Sequence, residues 1–396
     1  MTRRPGVDTL AARSGEDETS RALADPLWQT APFWFRTVEE LREAAEGRRP
    51  DHFYSRYGNP TVTSAERKMA ALEETEDAVL FSSGIAAIAG GLGAILSPGD
   101  RVAAIADLYG GTLSLFRDVF EPAGIGVDLV GTEERPAFAD VLRPETRLVY
   151  VETPTNPLVK IVDLAWTAGF ARSRGILCAV DSTFGTPVLQ KPATVGFDLV
   201  LHSATKYLNG HADVTAGFAC AARGLADKIR SLRKRTGPIP DPHAAWLLTR
   251  GMKTLGLRVR QQCSNAAALA DRLAEHPAVS RVHYPGRPDH AGHETARRQM
   301  TAFGAMLAFV LHGGRSAAER AVEAFRLIRL ATSLGSLETT ADLPAVTSHS
   351  PAMIAPAERE ALGITEGTIR LSVGCEDVED LREDLVQALD RLATSA

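Results

Sequence analysis

The sequence predicts an α/β protein with a mostly parallel sheet, followed by a smaller α+β unit. Short apolar runs alternate with helix-like stretches from about residue 60 to about 240. These runs are continuous rather than alternating polar and apolar, as in strands covered on both faces. After about residue 242 long helical stretches take over, with two strand-like segments among them.

The elements follow in order. Residues 1–58 are polar with little strand pattern and carry the aromatic patch LWQTAPFWF (27–35). Such an arm is expected to pack on the body or on a neighbouring subunit rather than fold alone. TSAERKMAALEETE reads as a helix, AVLF (78–81) as a strand and GIAAIAGGLGAIL as a helix. RVAAIA (101–106), GVDLVG, RLVYVE (147–152), ILCAVD (176–181), FDLVLH (197–202) and VTAGFACAA read as further strands. GTLSLFRDVFEPA and residues 163–174 read as the helices between them. Beyond 242, PHAAWLLTRGMKTLGLRVRQQCSNAAALADRLAEHP reads as a long helical stretch, AMLAFVL (305–311) and TIRLSV (368–373) as strands, and SAAERAVEAFRLI and VEDLREDLVQALDRL as helices. The expected division is an arm over 1–58, an α/β domain over 59–241 and an α+β domain over 242–396.

Composition narrows the class. A chain of 396 residues is long enough for a large core without disulfide or metal staples. The net charge of −5 gives no reason to expect a nucleic-acid or membrane surface. Cys178, Cys220, Cys263 and Cys375 form no CxxC pair, and three sit in apolar surroundings, which reads as buried thiols in a reducing compartment. The basic start has no apolar run behind it, so no secretory signal is expected, and no stretch approaches membrane-spanning length. A cytoplasmic enzyme is the resulting expectation. The basic cluster RSLRKR (230–235) is expected to be a solvated face. HAGHE (290–294) reverses the helical HExxH order, so a surface loop is expected there and no metal site.

In an open parallel sheet, ligands bind beyond the carboxyl ends of the strands. Those ends carry Ser82, Ser83, Gly84, Asp107, Tyr109, Gly110, Gly111, Asn156, Asp181, Ser203, Thr205 and Lys206. SSGIAAI puts Gly84 and Ile85 at a helix start, where free N–H groups favour a phosphate. Neither GxGxxG nor GxxxxGK[ST] is present, which removes the usual support for dinucleotide or P-loop binding. Asp181 is either an N-cap or turn former, or a carboxylate that keeps a pyridine nitrogen protonated. Lys206 is either a solvated strand-end lysine or a buried amine of lowered pKa suited to Schiff-base chemistry. Together these are the parts for holding a phosphorylated aromatic aldehyde.

SATKYLNGHADVTAG (203–217) closely resembles the pyridoxal-phosphate signature of the Cys/Met-metabolism, or trans-sulfuration, enzymes. HFYSRYGNPT (52–61), FSSGIAAI, DLYGGT (107–112), ETPTNP (152–157), AVDSTFGTP (179–187), RGMKTLGLR (250–258), SLGSLETTADLPA (333–345) and GITEGTIRLSVGCED (363–377) look like the same family's blocks in the same order. The likeness covers nearly the whole chain. It implies the PLP-dependent transferase-like fold of aspartate aminotransferase type, with pyridoxal 5′-phosphate as cofactor.

The resemblance also implies roles. Lys206 would hold the cofactor aldehyde and then shuttle protons between substrate carbons. Asp181 would pair with the pyridinium nitrogen, and Tyr109 would stack on the ring and serve as acid or base at the leaving group. Ser83, Gly84, Ile85, Ser203 and Thr205 would hold the phosphate, joined by Tyr54 and Arg56 of a neighbouring subunit. Asn156, Ser333 and Arg370 would meet the cofactor O3′ and the substrate α-carboxylate, for which a planar guanidinium is suited. His211 and Asp213 would be structural members of the lysine's turn. An obligate dimer, and a homotetramer of two such dimers, would follow. The implied reaction removes the Cα proton and then a Cβ proton, expelling a γ substituent. The product is then hydrolysed to a 2-oxo acid and ammonia, or captured by a nucleophile.

Departures bear on the substrate. Cystathionine-specific members carry acids where this chain has Phe53 and Thr332; neither can neutralise a buried ammonium. That favours an apolar tail such as thiomethyl, and HFYSR resembles the methionine γ-lyase form of its block. Gly111, where methionine γ-lyases have cysteine, and the LPA of 343–345 resemble cystathionine enzymes instead. The expectation is a methionine γ-lyase-like C–S lyase acting on a small sulfur amino acid. The alternatives are a cystathionine γ-lyase, or a γ-replacement enzyme such as cystathionine γ-synthase or an O-acylhomoserine sulfhydrylase. For the last, Arg230, Arg233, Lys234 and Arg235 could attract a succinyl carboxylate.

Overall fold

The computed structural model describes residues 4–15, 21–48 and 53–393. His52, which opens the HFYSR block, lies outside the described residues. The chain divides into two compact units, one of residues 1–94 with 199–255, the other of residues 95–198 with 256–396.

The first unit holds β1 (Asp77–Phe81), and β6 (Leu199–Ser203) and β7 (Gly217–Ala221) later in the chain. β7 lies between the other two and runs antiparallel to both, pairing Val79 with Ala219 and Leu201 with Ala219. It is the exception within the expected mostly parallel arrangement. Helix Pro60–Glu73 starts where Asn59 accepts the N–H of Thr61 at 3.0 Å, with Pro60 supplying a φ suited to the first turn. The predicted helix after β1 is Gly84–Gly93. The basic cluster ends a third helix, Arg223–Thr236, stopped by Gly237 at φ +89.

The arm packs partly on this unit: Lys68 donates to the Ala11 carbonyl at 2.9 Å, and the Trp246 indole donates to that of Asp25 at 2.8 Å. Trp34 nevertheless remains 80% exposed.

The second unit contains β2 (Arg101–Ile105), β3 (Gly126–Val130), β4 (Thr146–Glu152) and β5 (Leu177–Asp181). All their pairings are parallel, β3 with β2, β2 with β4 and β4 with β5. Val102, Ala103, Val149, Val151 and Val180 are fully buried, which is why these strands read as continuous apolar runs. Their carboxyl ends present Asp107, Glu152 and Asp181 on one edge.

The same unit carries a five-stranded sheet in the order β10-β11-β12-β9-β8. Its strands are β8 (Val279–His283), β9 (Met306–Leu311), β10 (Arg329–Leu330), β11 (Thr340–Asp342) and β12 (Thr368–Ser372). β9 and β12 are the two expected strands. Leu307, Phe309, Ile369 and Leu371 form a core with Ala318, Ala321, Leu381 and Leu385 from helices Gly314–Ala324 and Val378–Ala393. Each large side chain buried there stabilises the fold by about 1.5–3 kcal/mol. The long helical stretch after 242 is two helices, Pro242–Met252 and Leu255–Ala274. Among the described residues no helix is long and apolar enough to cross a membrane.

Candidate active site

In the first unit, the helix Gly84–Gly93 follows β1 with Ser83 as its N-cap, whose Oγ accepts the Ala86 N–H at 3.2 Å. The N–H groups of Gly84 and Ile85 lie in the first turn and have no intrahelical carbonyl to meet. A Cβ on Gly84 would stand 2.7 Å from the Ser203 Cβ, and one on Gly217 would stand 2.3 Å from the Ser83 carbonyl oxygen. The helix start is therefore pressed against the end of β6 and the beginning of β7, a contact that only glycine permits.

Lys206 sits in the turn after β6 and is half-buried; its N–H meets the Ser203 carbonyl at 3.2 Å. The Thr205 hydroxyl accepts the Ala216 N–H at 3.0 Å, closing the loop that carries the lysine. His211 and Asp213 belong to the same loop: a His211 ring nitrogen lies 2.7 Å from the Asn209 carbonyl, and Asp213 accepts from the Asn209 amide at 2.8 Å. Tyr54 and Arg56 are exposed, with the guanidinium over the rings of Tyr54 at 5.5 Å and Tyr57 at 5.2 Å. Half-buried Phe53 packs against Phe35 at 6.3 Å and edge-on to Tyr57 at 5.8 Å.

The basic cluster corrects an expectation. It is not simply a solvated face: Arg233 is 3% exposed and paired with Glu66 at 2.7 Å, and Arg230 is bound to Asp77 at 3.0 Å. Helical periodicity turns these two inward, into ion pairs with Asp77 and Glu66.

In the second unit, Asp181 ends β5, is 6% exposed and accepts the Thr183 N–H at 2.9 Å. Glu152 ends the neighbouring β4 in register with Asp181. One Glu152 oxygen accepts the Tyr109 N–H at 2.7 Å and the other accepts that of Asn156 at 3.2 Å. The Asn156 side-chain oxygen accepts from Arg370 at 2.7 Å, and Arg370 also donates to the Ser333 carbonyl at 3.2 Å. Ser333 holds φ +77, a left-handed conformation uncommon for serine, which is the kind of local strain found at ligand sites. Arg370 is paired with Asp342 at 2.8 Å. The structure thus joins Tyr109, Asn156, Ser333 and Arg370 into one network. Thr332 is exposed beside it and is not part of it. The Tyr109 ring is 46% exposed and lies over Gly111, where a Cβ would come within 2.4 Å of a ring carbon.

Glu152 and Asp342 were not singled out from sequence. A carboxylate closing an apolar strand was the available signal for Glu152; Asp342 gave none, because β11 is only three residues long. Lys160, also unread, is ion-paired with Asp107 at 2.9 Å. In HAGHE, His290 is in a loop and a helix starts at His293. Among the described residues no group of His, Cys, Asp or Glu could hold a metal.

Each unit by itself carries donors of the kind pyridoxal phosphate needs. In the first, these are a helix start opened by Gly84 for a phosphate, the hydroxyls of Ser203 and Thr205 nearby in the chain and an amine in the adjoining turn. In the second, it is the buried carboxylate of Asp181, of the kind that holds a proton on a ring nitrogen. The family model for Cys/Met metabolism PLP-dependent enzymes matches residues 8–390. The chain belongs to this family.

Similarity to other Cys/Met metabolism enzymes spans nearly the full length. The chain is 42% identical over 395 residues to L-methionine gamma-lyase of Fusobacterium nucleatum subsp. polymorphum, covering 99% of this chain and 100% of the relative. It is 41% identical to cystathionine gamma-lyase of Bacillus subtilis (strain 168), covering 95% and 96%. The crystal structure of cystathionine gamma synthase from Xanthomonas oryzae pv. oryzae, in complex with aminoacrylate and cysteine, matches with TM-score 0.93 at 37% identity, covering all of both chains. The expected fold, the PLP dependence and the trans-sulfuration class of carbon–sulfur lyases and synthases therefore hold.

Proposed function

We propose that this enzyme is a C–S lyase that eliminates the γ substituent of a sulfur amino acid with an apolar tail. L-methionine and water would give 2-oxobutyrate, ammonia and methanethiol. The observation that carries this reading is the absence of an acid at the two positions expected to face the substrate tail. Phe53 sits in an aromatic cluster with Phe35 and Tyr57, and Thr332 offers a hydroxyl. A charged distal amine would find no counter-ion at either position. The 42% identity to a methionine gamma-lyase supports the same reading.

Pyridoxal phosphate, when bound, supplies an electron-withdrawing ring that acidifies the substrate Cα–H and Cβ–H bonds. Ser83, Gly84, Ile85, Ser203 and Thr205 would hold its phosphate, with Tyr54 and Arg56 supplied by a second subunit. Asp181 would hold the proton on the ring nitrogen. Arg370, fixed by Asn156 and Asp342, would take the substrate α-carboxylate. Lys206 would remove the Cα proton and return protons to the carbon skeleton, while Tyr109 would cover the ring and protonate the departing sulfur.

The same reading includes a homotetramer of two dimers, a cytoplasmic location and the division into an arm over 1–58 and domains over 59–241 and 242–396. A second reading keeps the site and changes the partner: cystathionine γ-lyase or γ-replacement, favoured by Gly111. The deciding assay compares 2-oxobutyrate release from L-methionine and from L-cystathionine. A clear preference for cystathionine would overturn the argument from Phe53 and Thr332.

A further inference from the structure

Glu152 is 5% exposed at the carboxyl end of β4 and has no role in the reaction as proposed so far. It occupies a singular position. Each of its oxygens takes a backbone N–H, one from Tyr109 at 2.7 Å and one from Asn156 at 3.2 Å. Those two residues are the ones assigned to the ring face and to the cofactor O3′. On the next strand its register partner is Asp181, the residue assigned to the ring nitrogen.

We infer that Glu152 is a positioning residue for the cofactor ring, fixing the backbone at Tyr109 and Asn156 and adding its negative charge to that of Asp181. This rests on the proposed roles of those three residues.

The charge belongs to a wider arrangement. Asp107, Glu152 and Asp181 lie at or just beyond the ends of three neighbouring parallel strands, β2, β4 and β5. Asp107 is balanced by Lys160 at 2.9 Å. Burial, and then the neighbouring Asp181, push the Glu152 carboxyl well above the usual carboxylate range; Asp107 adds to this, and the two N–H donors oppose it. Two adjacent buried carboxylates cannot both stay ionised cheaply unless a cation stands near them. A protonated pyridine nitrogen is such a cation. Binding the ring in that form relieves the repulsion, and the pair in turn holds the proton on the ring more strongly than Asp181 would alone.

The test uses the holoenzyme and its visible absorbance. Glu152→Gln removes the charge and leaves one of the two N–H groups without its oxygen. The midpoint of the cofactor's absorbance change with pH should fall by about half a unit or more, and pyridoxal phosphate should bind about tenfold more weakly by fluorescence titration. The turnover number should fall more than the substrate KM rises. Glu152→Asp keeps the charge with a shorter reach. It should bring the pH midpoint back toward that of the parent while cofactor binding stays weakened, and it serves if Glu152→Gln does not fold. Parent-like titration and affinity in Glu152→Gln, or a midpoint in Glu152→Asp as far displaced as the amide's, would overturn the inference. A parent enzyme that takes up no pyridoxal phosphate would overturn both this and the underlying assignment of Asp181 and Tyr109.

Discussion

Arg370 is held by Asp342 at 2.8 Å, a residue directly opposite it in the antiparallel pair of β11 and β12. Both are nearly fully buried, at 4% and 3% exposure. Removing one partner of a buried pair is costly because the other is left charged and unmatched. Asp342→Asn should therefore loosen the guanidinium proposed to receive the substrate carboxylate. We expect KM for the amino acid to rise about tenfold or more, with a smaller change in the turnover number. Steady-state kinetics on two amino acids that differ in their γ substituent check this, since both should suffer alike.

Lys206→Ala should abolish turnover, with a loss of about 10⁴-fold or more, because it deletes the amine proposed both to hold the cofactor and to move the substrate's protons. Lys206 is only half-buried, so the melting temperature should move by no more than a few degrees, as is typical of changes outside the core. Product release and a thermal melt on one preparation suffice. Normal activity would sink the proposed chemistry.

The Tyr109 ring occupies the space that a side chain at 111 would fill, 2.4 Å from an added Cβ. Gly111→Cys should displace the ring rather than the backbone, since the tyrosine is half-exposed and the nearest atoms are those of its ring. The expected result is a changed ratio of methionine to cystathionine turnover, by about fivefold or more, with stability nearly unchanged. An unaltered ratio would mean that the Tyr109 ring does not contribute to substrate choice.

His349 is buried, its Nδ1 2.9 Å from the Ser348 hydroxyl. Burial first, and then the positive charges of Arg370 and Arg359, push its pKa down to about 4. An unfolded histidine titrates near 6.5. Between those values the unfolded chain takes up the proton and the folded chain does not. The contribution is thus fully present above pH 6.5 and is lost as pH falls toward 4, by about 3 kcal/mol in all. Urea midpoints measured from pH 7 to 4.5 should fall less steeply in His349→Gln than in the parent.

The parallel strands and Lys206 were legible because each leaves a local mark: an unbroken apolar run, or a titratable group at its end. The pairing of Arg370 with Asp342 joins residues 28 positions apart, and the strand of Asp342 is too short to show a period. Helix Arg223–Thr236 was hidden by its own charges, because Arg233 and Arg230 look solvated until Glu66 and Asp77 are placed beside them. Partners brought together only by folding are what sequence patterns leave out. Glu152 shows the same limit from the other side: the residue was in plain sight, and its two backbone partners were not.

The contact of Gly84 with Ser203 and of Ser83 with Gly217 divides the molecule's capacity for change. At that end no atom can be added without moving a helix start or a strand, so variation there is closed to small steps. Phe53 and Thr332 are half-buried and exposed, and neither is a glycine pressed against a backbone in that way. On the proposed reading, a lineage carrying this scaffold can trade one sulfur compound for another through those two positions, while its hold on one vitamin-derived aldehyde stays locked by packing.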